Sequence, residues 1–64
     1  MTQSREYYMA HYNVCKAEYL SACNKAEEAD RRGDHDEARR WRSVANDAAA
    51  RMAGWAGMAM EAKP

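Results

Sequence analysis

Two mirrored series of residues, one on each side of a single glycine, constrain what this chain can fold into. Before Gly33, residues Tyr8, Tyr12, Cys15, Tyr19, Ala22, Ala26 and Ala29 follow one another at alternating steps of four and three. After it, Ala38, Trp41, Ala45, Ala48, Met52, Trp55, Ala59 and Ala62 run at alternating steps of three and four. A repeat averaging about 3.5 residues holds one stripe of side chains on one face of an α-helix, the pattern of a coiled-coil or bundle seam. Folding back at Gly33 pairs the series layer by layer: Ala29 with Ala38, Ala26 with Trp41, Ala22 with Ala45, Tyr19 with Ala48, Cys15 with Met52, Tyr12 with Trp55 and Tyr8 with Ala59. The two residue numbers have the same total in every pair, so a single antiparallel register satisfies all of them. Several layers set a large side chain against a small one, which lets helices interdigitate at short interaxial distance. The expected fold is all-α. It is an antiparallel two-helix hairpin, with helices over about 4–32 and 35–62, forming one domain over 1–64.

The residues around the break agree with this reading. Gly33 suits the left-handed position that ends a helix. Asp34 reads as the N-cap of the second helix, with Glu37 completing a capping box. Asp36 and Glu37 place negative charge at that helix's positive end, and Arg31 and Arg32 place positive charge at the first helix's negative end. Ser4 is the expected N-cap of the first helix, and Pro64 closes the chain. The pairs Glu27/Arg31, Glu28/Arg32, Asp36/Arg40 and Asp47/Arg51 have the i,i+4 spacing of helix-surface ion pairs.

Composition excludes other classes. The chain has 64 residues, among them 14 Ala, 5 Met and a single Leu, with no Ile and no Phe. Only Thr2, Val14 and Val44 are β-branched, so a sheet has almost no raw material. A chain this short usually needs a staple or a second subunit. Ten basic and ten acidic residues leave a formal net charge of zero, without the basic excess usual in nucleic-acid binders. No segment reads as a signal peptide, and the least polar run, Met52 to Met60, is far short of a membrane span. Cys15 and Cys23 stand too far apart on one helix to bridge, which fits free thiols in a reducing cytoplasm.

Local motifs add two resemblances. The run Gly33-Asp34-His35-Asp36-Glu37-Ala38, with Ala26, Trp41 and Ala45 around it, resembles the turn of a tetratricopeptide-type helix-turn-helix over residues 22–45. The resemblance implies a tight helical hairpin there. In size and layout the chain is similar to Rop-like helical hairpins, which implies dimerisation into a four-helix bundle.

Charge is unevenly spread along this hairpin. Residues 16–47 hold 15 of the 20 charged side chains, whereas Tyr7 to Cys15 and Met52 to Met60 contain no Asp, Glu, Lys or Arg. A second apolar series accompanies each seam: Tyr7, Ala10, Val14 and Ala17 in the first helix, and Ala49, Ala53, Ala56, Met60 and, further round, Met58 in the second. A two-helix hairpin hides one stripe per helix, so these residues are expected to form a second surface that meets another chain. Gly54 and Gly57 are costly inside a helix and suggest either close backbone approach there or a frayed last turn. His11 and Cys15 share a face but supply two ligands where zinc needs four. With no catalytic set and no concave pocket, neither enzyme activity, a cofactor nor a metal is expected.

The leading expectation is a non-enzymatic, cytoplasmic protein-protein interaction module, homodimeric and binding a second protein as adaptor, regulator or inhibitor. It is the type of compact chain that phages and other mobile elements encode. Expected contact residues are Tyr7, Met9, Val14, Trp55, Met58 and Met60. One alternative is a Rop-like nucleic-acid-binding regulator using Arg39, Arg40 and Arg42. Against it, the five arginines of the turn region interleave with six carboxylates, for a net charge of −1. Another is an assembly subunit or chaperone stabilised by a larger partner.

Overall fold

The structure, a computed structural model, describes residues 3–62. Helix α1 spans Arg5–Arg31 and helix α2 spans His35–Glu61, each 27 residues long. No strand occurs among the described residues. The helices pack antiparallel along their whole length, giving a rod whose Cα extents are 48 × 14 × 13 Å. Pro64, expected to close the chain, lies outside the described residues.

The turn is a Schellman motif. Gly33 has φ +83°, the left-handed conformation that costs a Cβ-bearing residue but not glycine. Its N–H donates to Asp30 O at 3.0 Å, and the N–H of Asp34 donates to Ala29 O at 2.8 Å, satisfying carbonyls at the end of α1. The Asp34 side chain then accepts from the Glu37 N–H at 3.1 Å and starts α2. Only this half of the expected capping box forms. The Asp34 N–H is already committed to Ala29, and the Glu37 carboxylate turns to Arg32. At the other end Ser4 caps α1 as expected, its Oγ accepting from the Tyr7 N–H at 3.2 Å.

Among the described residues, every buried one lies on the two sequence series. The buried set is Cys15, Ala22, Ala26, Ala29, Ala38, Ala45, Ala48, Ala59 and Ala62. The larger members of the same series, Tyr8, Tyr12, Tyr19, Trp41, Met52 and Trp55, are half-buried along the edges of the seam. Among the described residues no large side chain is fully enclosed. Alanine layers bring the helices together, and the bulky residues cover the joint from outside.

Ion pairing favours the joint between helices over single helices. Glu27 and Arg31 form the expected i,i+4 pair at 3.6 Å. Arg51, expected to meet Asp47, instead reaches across to Glu18 at 2.9 Å, and Arg32 pairs with Glu37 across the turn rather than with Glu28. Arg42 joins Asp30 in the same way. The Lys25 ammonium sits 4.7 Å from the centre of the Trp41 ring, screening one edge of the seam. Such exposed contacts contribute about 0–1 kcal/mol each, so they adjust the register rather than create it.

Candidate functional site

The open end of the rod, away from the turn, carries the features that set this chain apart from a plain hairpin. Arg5 closes it. Its Nε donates to Ala59 O at 3.3 Å and a terminal guanidinium nitrogen to Ala62 O at 3.5 Å. A cation is thereby held at the negative end of α2, against carbonyls that have no partner within the helix. Sequence reading passes over Arg5, although the antiparallel register places it beside Ala62.

Trp55 lies beside Arg5's helix but on the opposite flank. Its ring stacks on His11 with centroids 4.4 Å apart and planes at 15°. Tyr7 meets His11 edge-on at 4.7 Å, and Tyr7 and Tyr8 lie 6.5 and 6.2 Å from the indole. Tyr12, expected in the same layer as Trp55, is not among these rings. Two rings of that size do not fit between helices spaced by alanine, so each swings to a different side of the seam. Tyr12 goes to the other flank, where it lines a shallow trough of about 500 Å³ with Arg5, Met9, Ala56, Ala59 and Met60.

The structure therefore divides the six expected contact residues between two flanks. Tyr7 and Trp55 belong to the aromatic flank. At about 100° per residue, Val14, two turns after Tyr7, and Met58, one turn after Trp55, fall on the same side. Met9 and Met60 belong to the trough. The expectation of one continuous second surface is corrected here: the Tyr7/Val14 series of α1 and the Ala56/Met60 series of α2 lie on opposite sides of the rod. Tyr7 and Met9 bracket the seam residue Tyr8, and one step along a helix in either direction turns a side chain away from the other.

Exposure varies among the six. Met60 is 82% exposed and Val14 59%, whereas Trp55 is half-buried and serves the hairpin itself as much as any partner. Sequence reading also leaves out Leu20 and Val44, both exposed. Leu20 could have been found as the chain's single leucine standing outside the seam series.

No family model, no curated protein and no solved structure matches this chain.

The turn half offers less. Arg42 is engaged with Asp30, and Arg40 lies with Glu37, Trp41 and Val44 around a smaller hollow. Arg40 and Arg42 are two residues apart and so point to opposite sides of α2, giving the three candidate arginines no common face. Hydrogen bonds from His35, 3.1 Å away, and from Arg42 hold the Asp30 carboxyl below its ordinary range. A hydrogen bond with the Cys23 thiol, one turn on, raises the Tyr19 phenol, with thiolate charge and burial acting in the same direction. Both cysteines are free, Cys15 buried and Cys23 half-buried. Among the described residues no group of three or more His, Cys, Asp or Glu could hold a metal ion, and no helix is long and apolar enough to cross a membrane.

Proposed function

We propose that this chain is a non-enzymatic interaction module that pairs with a copy of itself and presents its aromatic flank to a second protein, as adaptor, regulator or inhibitor. One observation supports this most directly. Tyr7, Val14, Met58 and Met60 stand exposed on a half whose facing segments carry no Asp, Glu, Lys or Arg. A hairpin that needed nothing beyond itself would place polar residues there, because exposed apolar patches favour association. Tyr, Trp and Met are frequent anchors at protein interfaces, combining large contact area with few torsions to freeze or with adaptable shape. The free thiols fit a reducing, cytoplasmic setting.

The test is retention of a partner from extracts of the source cells, identified by mass spectrometry, on wild-type and doubly substituted chains. Tyr7→Ala with Met58→Ala is expected to lower retention at least about tenfold, as loss of a few kcal/mol at an interface does, with helicity unchanged. Equal retention by both chains overturns the reading. Binding of RNA that falls steeply with added salt would instead favour an arginine-based regulator.

A further inference from the structure

We infer that the trough flank is the surface on which the second copy sits, and that the two hairpins run in the same direction with their turns at one end. This rests on the reading that the chain self-associates. It adds which face is used and how the copies are oriented.

Three features of that flank carry the inference. The first is size. A compact monomer of 7.3 kDa exposes about 4,200 Å², whereas this chain exposes 4865 Å². A face with the rod's 48 × 14 Å outline offers roughly 700 Å², close to the ~800 Å² per partner of a stable interface. Overlap of the open halves alone would give about half of that, in the range of incidental contacts. The whole length of the rod is needed.

The second feature is shape. Successive helical turns place Met9, Tyr12, Lys16 and Leu20 on the trough side of α1, and Ala49, Ala53, Ala56 and Met60 on the trough side of α2. α1 offers long side chains throughout, whereas α2 offers small ones up to Met60 at the open end. A two-fold axis along the rod lays α1 of each copy on α2 of the other, so large meets small. A two-fold axis across the rod lays α1 on α1 and α2 on α2, setting large against large and leaving gaps between alanines.

The third feature is charge. On this flank the turn half of α1 carries Glu27 and Asp30, and that of α2 carries Arg39 and Arg42. With both turns at one end, Glu27 of one copy approaches Arg39 and Arg42 of the other, and the apolar troughs of the open ends cover one another, with each Arg5 held by its own Ala59 and Ala62 carbonyls. With turns at opposite ends, the charged tip of each copy covers the apolar trough of the other, whose lining offers charge only from Arg5, already bonded to the carbonyls of Ala59 and Ala62, so it loses water at a cost. Along its middle the aromatic flank carries the Glu18–Arg51 pair and Lys25, against Lys16 alone on the trough flank, so it fits a second copy less well.

Two measurements on the full chain test this. Sedimentation equilibrium on wild type, Met9→Glu and Val14→Glu reads which flank is covered. A dimer that Met9→Glu weakens at least about a hundredfold, and Val14→Glu less than threefold, is expected from burying a charge on one side only. For orientation, a spin label is placed at Asp36→Cys near the turn, in a Cys15→Ala, Cys23→Ala chain shown by sedimentation to remain dimeric. Turns at one end place the labels within about 30 Å, given interaxial distances of 8–10 Å in a bundle. Turns at opposite ends separate them by a distance near the 48 Å rod length. The long distance, or a dimer sensitive to Val14→Glu rather than Met9→Glu, overturns this inference and leaves self-association standing. A monomer at every concentration overturns both.

Discussion

Asp30 is the residue at which stability and pH are most directly linked. It receives His35 from the first turn of α2 and Arg42 from two turns further on, so one carboxylate ties the end of α1 to the start of α2. Because its pKa is lower in the fold than the ordinary 3.8, its contribution is fully present above that value and is lost as pH falls through the folded value. Asp30→Asn is therefore expected to lower the urea midpoint near neutral pH and to lose less of it than wild type between pH 5 and the acid limit. Parallel loss in both chains would show that Asp30 contributes nothing to acid unfolding. The pairing is not visible in the linear sequence, where Asp30 is one of six carboxylates around the turn. It becomes visible only when the left-handed Gly33 brings α2 back alongside α1.

At the scale of the helices, Gly54 and Gly57 are the least expected residues of α2. Their spacing from Ala50 and Ala53 suggests close backbone approach, yet a Cβ added at either position meets nothing within 4 Å. The approach is not to α1. Gly54→Ala and Gly57→Ala are accordingly expected to stabilise the hairpin by about 1 kcal/mol each through helix propensity, read as a rise in the denaturation midpoint at fixed chain concentration. A loss instead would mean that another backbone comes close to this face. The seam, by contrast, is fully legible from sequence, since alanine at 3.5-residue spacing in two matching registers leaves one way to pack. The caps are legible for the same local reason. The flanks are not, because a list of apolar residues does not say on which side of the seam each one falls. Tyr7 and Met9 look like neighbours in such a list and are separated by the whole width of α1. The fate of Trp55 is harder still, since it depends on how closely the alanine layers draw the axes together.

At the scale of the molecule, the absence of a large enclosed side chain among the described residues means that the hairpin has a joint rather than a core. Its radius of gyration, 14.6 Å, exceeds the roughly 11 Å of a compact chain of this length. A rod folded about one tight turn also has a direction in time. Ala29 and Ala38, both wholly buried, meet across a short loop, whereas Tyr8 and Ala59 meet only after nearly the entire chain has been ordered. Closing the short loop costs less entropy, so helix pairing is expected to begin at the turn and zip outward. Gly33→Ala, at about 1–2 kcal/mol of left-handed strain, should therefore slow folding, while Ala59→Gly should mainly speed unfolding; temperature-jump kinetics read the two separately. Equal effects on the folding rate would remove the polarity. With that polarity, the trough and the aromatic cluster are the last parts of the monomer to take shape. Any chain that binds them arrives at a surface still being finished, and its arrival completes the closure.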